Sequence, residues 1–266
     1  MEESRLNMCG KHHTISVDDK EMIVVADPHL ESVADDVEGM IQFVRTLEPA
    51  RHVLMFLGDL FHVWTEFKRY HTPAQKALLD ELNTFRERGG SVFLTVGNRD
   101  LFFEDRSDSP GGNGLPFDAI SRNFLSFSSG GDIIMAHHGD TVNREDNAYL
   151  LWRRIVRSSL LKAVFKLIPA EKGKKLIYAS EKKIKQTNKQ FRIYFPEDDW
   201  ARFVQAHHRQ YAPRLLLVGH FHTEGPVVIK HGSTTGIVVP SWHMTQAYLA
   251  IDPGLRYQMK RFQSVA

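Results

Sequence analysis

The chain has 266 residues, 42% of them apolar and 25% charged, with a formal net charge of +2. That length holds one large domain or one domain with an insertion, and that composition excludes a disordered or fibrous chain. A single cysteine, Cys9, excludes an internal disulfide framework, and no stretch approaches the roughly 18 consecutive apolar residues of a membrane span.

Residues 1–22 are mixed and polar, without an apolar segment of signal-peptide length, and read as an N-terminal extension. The expectation is therefore a cytoplasmic protein, soluble or peripheral on the inner face of the cytoplasmic membrane. The domain proper is expected over 23–266. It opens with "MIVVADPHL", a β-branched strand stopping at Asp27 and His29. Val33, Val37, Met40, Ile41, Val44 and Leu47 then share one helical face, with Pro49 just beyond it. "HVLMFLGDLF" is a second strand, ending at Gly58-Asp59. Thr72-Pro73 predicts a capped helix start, Ala74, Ala77, Leu78, Leu82 and Phe85 its apolar face, and Gly89-Gly90 its end. "SVFLTVGNRD" stops at Asn98-Arg99, "DIIMAHHGD" at His137, His138 and Asp140, and "RLLLVGHFHT" at His220 and His222.

Continuous apolar runs of this length read as strands buried on both faces, and strand–helix–strand alternation predicts an α/β protein. Ligands in open α/β sheets gather at the carboxyl ends of strands. One Asp-x-His or Gly-Asp after a strand is an ordinary turn. Five buried strands ending in Asp, His or Asn are not, because each unpartnered buried polar group costs several kcal/mol. Oxygen and imidazole donors without cysteine suit manganese, iron or zinc. Seven donors (Asp27, His29, Asp59, Asn98, His138, His220, His222) are too many for one tetrahedral ion and suit two, with Asp59 the candidate bridge. Successive strand residues face opposite ways, so His137 reads as structural beside His138.

Asp27-x-His29, Gly58-Asp59, Gly97-Asn98, His138-Gly139-Asp140 and Gly219-His220-x-His222 stand in the order found in the calcineurin-like metallophosphoesterase family, which this chain resembles over residues 27–223. The resemblance implies a four-layer α/β/β/α sandwich. It implies one divalent ion on Asp27, His29, Asp59 and His222, and another on Asp59, Asn98, His138 and His220.

Where much of that superfamily has His after Gly-Asn, this chain has Arg99. Arginine grips phosphate but gives up no proton. Its presence suits a leaving group that needs none, such as a phosphate whose second pKa is about 6, and so points to pyrophosphate cleavage. A salt bridge to Asp100 is the ordinary alternative. "GNRD" with "GDLF", Trp64 and "HGDT" resembles the UDP-2,3-diacylglucosamine hydrolase family of lipid A biosynthesis. That resemblance implies a manganese-dependent hydrolase releasing UMP and a diacylglucosamine 1-phosphate. It places Asn98 and Arg99 on the diphosphate and Tyr149 in the substrate pocket. His62 stands where that family has an acidic residue. His243, after "TTGIVVPSW", reads as packing or as a group supporting the ligands. Rival readings are a phosphoesterase for another nucleotide, sugar diphosphate or phosphoprotein, and a non-catalytic scaffold on the same fold.

Residues 144–195 read as a helical cap inserted in the domain. From Leu150 to Ile193 there are thirteen Lys or Arg against two Glu, with apolar residues at helical spacing (Leu151, Ile155, Leu160, Leu161, Val164, Phe165, Leu167, Ile168) and a break at Pro169. Three readings stand: a lid for the acyl chains and phosphates of a lipid nucleotide, an amphipathic element on anionic membrane, and an ordinary basic helix or nucleic-acid groove. The nucleic-acid groove is disfavoured because exposed aromatic residues are not interleaved with the basic ones.

Overall fold

The computed structural model describes residues 14–31, 34–106, 114–143, 153–155, 157–187 and 195–263. In chain order these form β1 (Thr14–Ser16), β2 (Glu21–Val25), α1 (Ala34–Thr46), β3 (His52–Phe56), β4 (Trp64–Thr65), α2 (Pro73–Glu87), β5 (Ser91–Thr95), β6 (Asp100–Leu101), β7 (Ala119–Ser121), β8 (Phe124–Ser129) and β9 (Asp132–His137). There follow α3 (Ser159–Leu167), α4 (Ala170–Thr187), α5 (Glu197–Tyr211), β10 (Leu215–Val218), β11 (Val227–His231), β12 (Thr234–Val238), α6 (Trp242–Thr245), β13 (Ala247–Ile251) and β14 (Tyr257–Arg261). The sheets take up residues from Thr14 on, including Glu21 and Met22, which the sequence pattern assigns to an extension.

Two six-stranded sheets lie face to face, in the orders β14-β13-β2-β3-β5-β7 and β1-β8-β9-β10-β12-β11. Alternation along each strand makes the layers. Met22, Val24, Val53, Met55 and Phe93 point inward and pack against Phe127, Ile134, Leu215, Leu217 and Ile237 of the other sheet. Their neighbours Ile23, Val25, Leu54, Phe56, Val92 and Leu94 point outward, under Val37, Met40 and Val44 of α1 and Leu78, Leu82 and Phe85 of α2. On the far side Met135, Leu216, Val218 and Val238 are covered by Trp200, Phe203 and Val204 of α5. The result is the expected α/β/β/α sandwich.

The Thr72 cap forms as its sequence predicts: its hydroxyl accepts from the Gln75 amide and the Gln75 side chain accepts from the Thr72 amide. The buried face of α2 is Gln75, Leu78, Leu79, Leu82 and Phe85, while Ala77 is exposed. The larger Leu79 side chain takes the burial that the sequence pattern gives to Ala77, which shifts the face by part of a turn.

α3 and α4, separated by Pro169, dock on the loops after β3 and β5. Phe165 and Ile177 pack with Val63, Tyr70, Leu101 and Phe102. The Tyr70 hydroxyl lies 2.8 Å from the Phe165 carbonyl and 2.9 Å from that of Ile168. Lys162, buried on α3, contacts Glu66 at 2.5 Å and Glu104 at 2.8 Å.

Candidate active site

Parallel register brings the strand ends level. Val25 pairs with Phe56 and Phe56 with Leu94, so the segments following β2, β3 and β5 leave one sheet together. Val218 pairs with His137, which does the same for β9 and β10 in the other. The loops then interlock, His29 N donating to Asp59 O at 3.0 Å and Gly219 N to His138 O at 2.9 Å.

Of the ten non-glycine residues at positive φ among the described residues, five are Asp27, His29, Asp59, His220 and His222. Such backbone is uncommon for residues with a Cβ and costs about 1–3 kcal/mol where the conformation is strained. Its concentration on these side chains identifies the strand ends as a built site. Gly97 is required for a related reason: a Cβ there would run into the Asp59 carboxylate.

The side chains fall into two adjoining groups. In the first, His29 Nε2 is 2.9 Å from His222 Nε2, 3.7 Å from Asp59 Oδ2 and 4.0 Å from Asp27 Oδ1, and His222 Nε2 is 3.9 Å from that same Asp27 oxygen. In the second, His138 Nε2 is 3.2 Å from Asn98 Oδ1, 3.2 Å from His220 Nδ1 and 3.8 Å from Asp59 Oδ2. Asp27 Oδ1 also approaches His138, at 3.9 Å, but through Nδ1. That nitrogen lies 2.7 Å from the Leu57 carbonyl and donates to it, which leaves Nε2 as the atom that could hold a metal. Asp59 Oδ2 is thus the carboxylate oxygen between the two groups. Its partner oxygen is fixed by the Arg99 amide at 2.7 Å.

Burial and crowding displace the protonation of these side chains. Burial pushes the Asp27 carboxyl up to about 7, His138 opposing and Asp59 adding to the rise. Burial likewise raises Asp59 to about 6, against the pull of His138. Burial acts to lower His138, but Asp59, Asp27 and Asp140 outweigh it and hold the imidazole up at about 9. His29 is driven well below the ordinary histidine value by burial and by His222 and Arg99. Asp27 Oδ1 and His29 Nδ1 are buried with no hydrogen-bond partner among the described residues. Two sets of donors, Asp27/His29/His222 and Asp27/Asp59/His138, have ligand atoms all within 4.8 Å of one another. A buried set of oxygen and nitrogen donors, two of them without hydrogen-bond partners among the described residues, fits divalent metal.

Arg99 is 2% exposed, and its Nε and Nη1 have no hydrogen-bond partner among the described residues. Nε stands 4.0 Å from Asp59 Oδ2. The alternative salt bridge to Asp100 is not what the structure contains. Asp100 instead accepts from Gly97 N at 2.7 Å, Asp59 N at 2.9 Å and the Trp64 indole, tying the β3 and β5 loops together. That organising role escapes a sequence reading, because the partners of Asp100 are set by folding; the adjacent "GNRD" is its only signal.

His137 turns away, its ring against Phe124, Phe203 and His207. The rings of His62 and His243 lie 6.1 and 6.3 Å from that of His29. Tyr149 lies outside the described residues.

A family model described as calcineurin-like phosphoesterase matches residues 21–224. The chain is 28% identical over 225 residues to the UDP-2,3-diacylglucosamine hydrolase of Neisseria gonorrhoeae, covering 82% of this chain and 88% of that one. It is 27% identical over 204 residues to the protein of that name from Stutzerimonas stutzeri, covering 76% and 81%. It is 26% identical over 246 residues to that of Vibrio parahaemolyticus, covering 91% and 99%. With these matches and the donor cluster at its strand ends, the chain belongs to the calcineurin-like phosphoesterase family, as a metal-dependent hydrolase of phosphorus-containing bonds.

Proposed function

We propose that the protein hydrolyses the pyrophosphate of a nucleoside diphospho-lipid, UDP-2,3-diacylglucosamine, to UMP and 2,3-diacylglucosamine 1-phosphate. The relatives' names supply the substrate. The observation that carries the reading is Arg99, a buried cation with open donor positions beside the cluster. Two ions, manganese by the family resemblance, would be held by Asp27, His29, Asp59 and His222 and by Asp59, Asn98, His138 and His220. When bound, such a pair polarises phosphoryl oxygens and acidifies the attacking water.

The chain's own residues do the rest. The Arg99 guanidinium lies beside the cluster and neutralises charge developing on the departing phosphate. It transfers no proton, and a departing sugar phosphate needs none at neutral pH. The Asn98 side-chain oxygen faces His138, which leaves its amide protons for a phosphoryl oxygen. Asp100 holds the Asp59 and Gly97 amides, and through them the spacing between Asp59 and Arg99.

The lipid end of the substrate suggests a place for the cap. Leu160, Val164 and Leu167 form an exposed stripe at i, i+4 and i+7 on α3, beside exposed Lys166. We infer peripheral contact of this stripe with anionic membrane. No helix among the described residues is long and apolar enough to cross a membrane.

The deciding experiment is a paired assay with manganese, using UDP-2,3-diacylglucosamine and a simple aryl phosphodiester. Release of UMP that depends on Asp59 and His138 is expected. Turnover of the diester alone would remove the lipid nucleotide and leave a phosphoesterase of other specificity.

A further inference from the structure

The basic residues of the cap are not all turned to solvent or substrate. Arg157, between the segment 153–155 and α3, has a side chain only 11% exposed. Its Nη2 donates to the Val96 carbonyl at 3.2 Å, directly before Gly97-Asn98. Its Nη1 donates to the Arg122 carbonyl at 2.8 Å, and Arg122 donates back to the Arg157 carbonyl at 3.2 Å. Nη2 also lies 3.8 Å from Asp140 Oδ2, two residues beyond His138. Arg153 secures the same carboxylate oxygen at 2.7 Å. One guanidinium therefore spans the loop that carries Asn98 and the loop that carries His138. The Asp27 segment is held elsewhere, by the Ser241 hydroxyl on the Asp27 carbonyl at 3.0 Å and by Trp242 N on the Ala26 carbonyl at 2.8 Å.

We propose that Arg157 is a positioning residue: its own guanidinium, reaching in from the cap, keeps the Asn98 and His138 loops in register for one half of the centre. The inference rests on the dinuclear reading above. The planar fork matters, since it reaches a carbonyl on one loop and a carboxylate on another at once, which a lysine ammonium on a flexible stem does not reproduce. Outer partners that orient ligands typically change metal affinity by about 10- to 100-fold.

The test is calorimetric titration of Mn²⁺ into the metal-free full-length protein, beside its melting temperature. The wild type is expected to bind two ions. Arg157→Ala is expected to weaken one of them about 10- to 100-fold and leave the other unchanged. Arg157→Lys keeps the charge, guards against a folding defect in the alanine variant, and should weaken the same ion. Lys162→Met, which cuts a separate tie of the cap to Glu66 and Glu104, should leave both affinities intact. Wild-type affinities at both sites in the Arg157 variants would overturn the proposal. So would an equal loss in Lys162→Met, which would mean that any loosening of the cap suffices. A wild type that binds only one ion would instead bring down the dinuclear reading itself.

Discussion

Arg99 is confined by burial and by the charge of Asp59, with no hydrogen bond at Nε or Nη1 among the described residues, and this decides what its replacement should do. Its backbone amide still donates to Asp59 in any variant but proline, so the loop survives truncation. Arg99→Ala is expected to lower kcat on the diphosphate about 10²- to 10³-fold, as loss of one transition-state donor does, with Mn²⁺ content unchanged. A variant that loses metal instead would make Arg99 part of the scaffold. The titration of the neighbouring ligands makes a second prediction. Asp27 and Asp59, at about 7 and 6, lie above the ordinary unfolded carboxyl near 3.9. The metal-free fold therefore holds extra protons between about pH 4 and 7, and loses stability as pH rises through that window. His138, at about 9, contributes stability that is complete below about 6.5 and lost as pH rises through 9. All three act in the same direction. Below about pH 6.5 the neutral, buried His29 opposes this trend, so the melting temperature of the chelator-treated protein should fall from pH 7 to 9. Added Mn²⁺ should flatten or reverse the slope, because ions bind the deprotonated ligands. A metal-free melting temperature that rises from pH 7 to 9 would refute the charge assignment.

At the scale of elements, the sequence was most legible where one local rule decides. The five apolar runs stop where β2, β3, β5, β9 and β10 or their following loops present polar side chains, because strands covered on both faces admit no polar residue before their ends. Thr72-Pro73 declares α2 for an equally local reason. Ala77 shows the limit: helical periodicity gives a face but not its phase to within a residue, and the volume of Leu79 decides it. The cap's inward contacts were not legible at all. Lys162 meets Glu66 across 96 residues and Arg153 meets Asp140 across 13, and nothing in a run of lysines and arginines distinguishes these from the exposed ones. Phe165 anchors the cap, packed on Phe102 with ring centroids 4.6 Å apart and 7% exposed. Phe165→Ala should cost about 3 kcal/mol of cap docking, the low end for a buried aromatic. The loss should appear as faster limited proteolysis within the cap while cleavage in the sandwich is unaffected. Equal protease resistance in variant and wild type would mean that the polar ties of the cap, among them Lys162 to Glu66 and Tyr70 to the Phe165 and Ile168 carbonyls, hold it down without the Phe165 ring.

At the scale of the whole molecule, the sandwich follows from alternation within strands, but the order of strands does not. β2 lies beside β13, with Leu249 against Val24, a pairing between opposite ends of the chain that no local pattern announces. The family resemblance, not periodicity, made the two-sheet architecture legible. This layout puts the cap on the loops at the strand ends, with Phe165 facing in and Leu160 and Leu167, 76% and 85% exposed, facing out. A bilayer contact through that outer stripe has a definite strength and salt dependence. Burying each large apolar side chain contributes at most about 1.5–3 kcal/mol, and each nearby lysine about 1 kcal/mol at an anionic surface. Partial burial of three apolar side chains, opposed by the entropy of docking, gives reversible association that needs the anionic lipid. The protein should therefore sediment with vesicles containing phosphatidylglycerol at low salt, stay in solution with phosphatidylcholine alone, and be released as ionic strength rises. Leu160→Ser with Leu167→Ser should abolish sedimentation without altering the melting temperature or Mn²⁺ stoichiometry, since neither side chain is in the core. A double variant that still sediments would move the membrane contact off α3. It would then reassign the stripe to the acyl chains of the bound substrate, and the distinguishing sign of that reassignment would be a raised KM for the lipid nucleotide in detergent, where no bilayer is present.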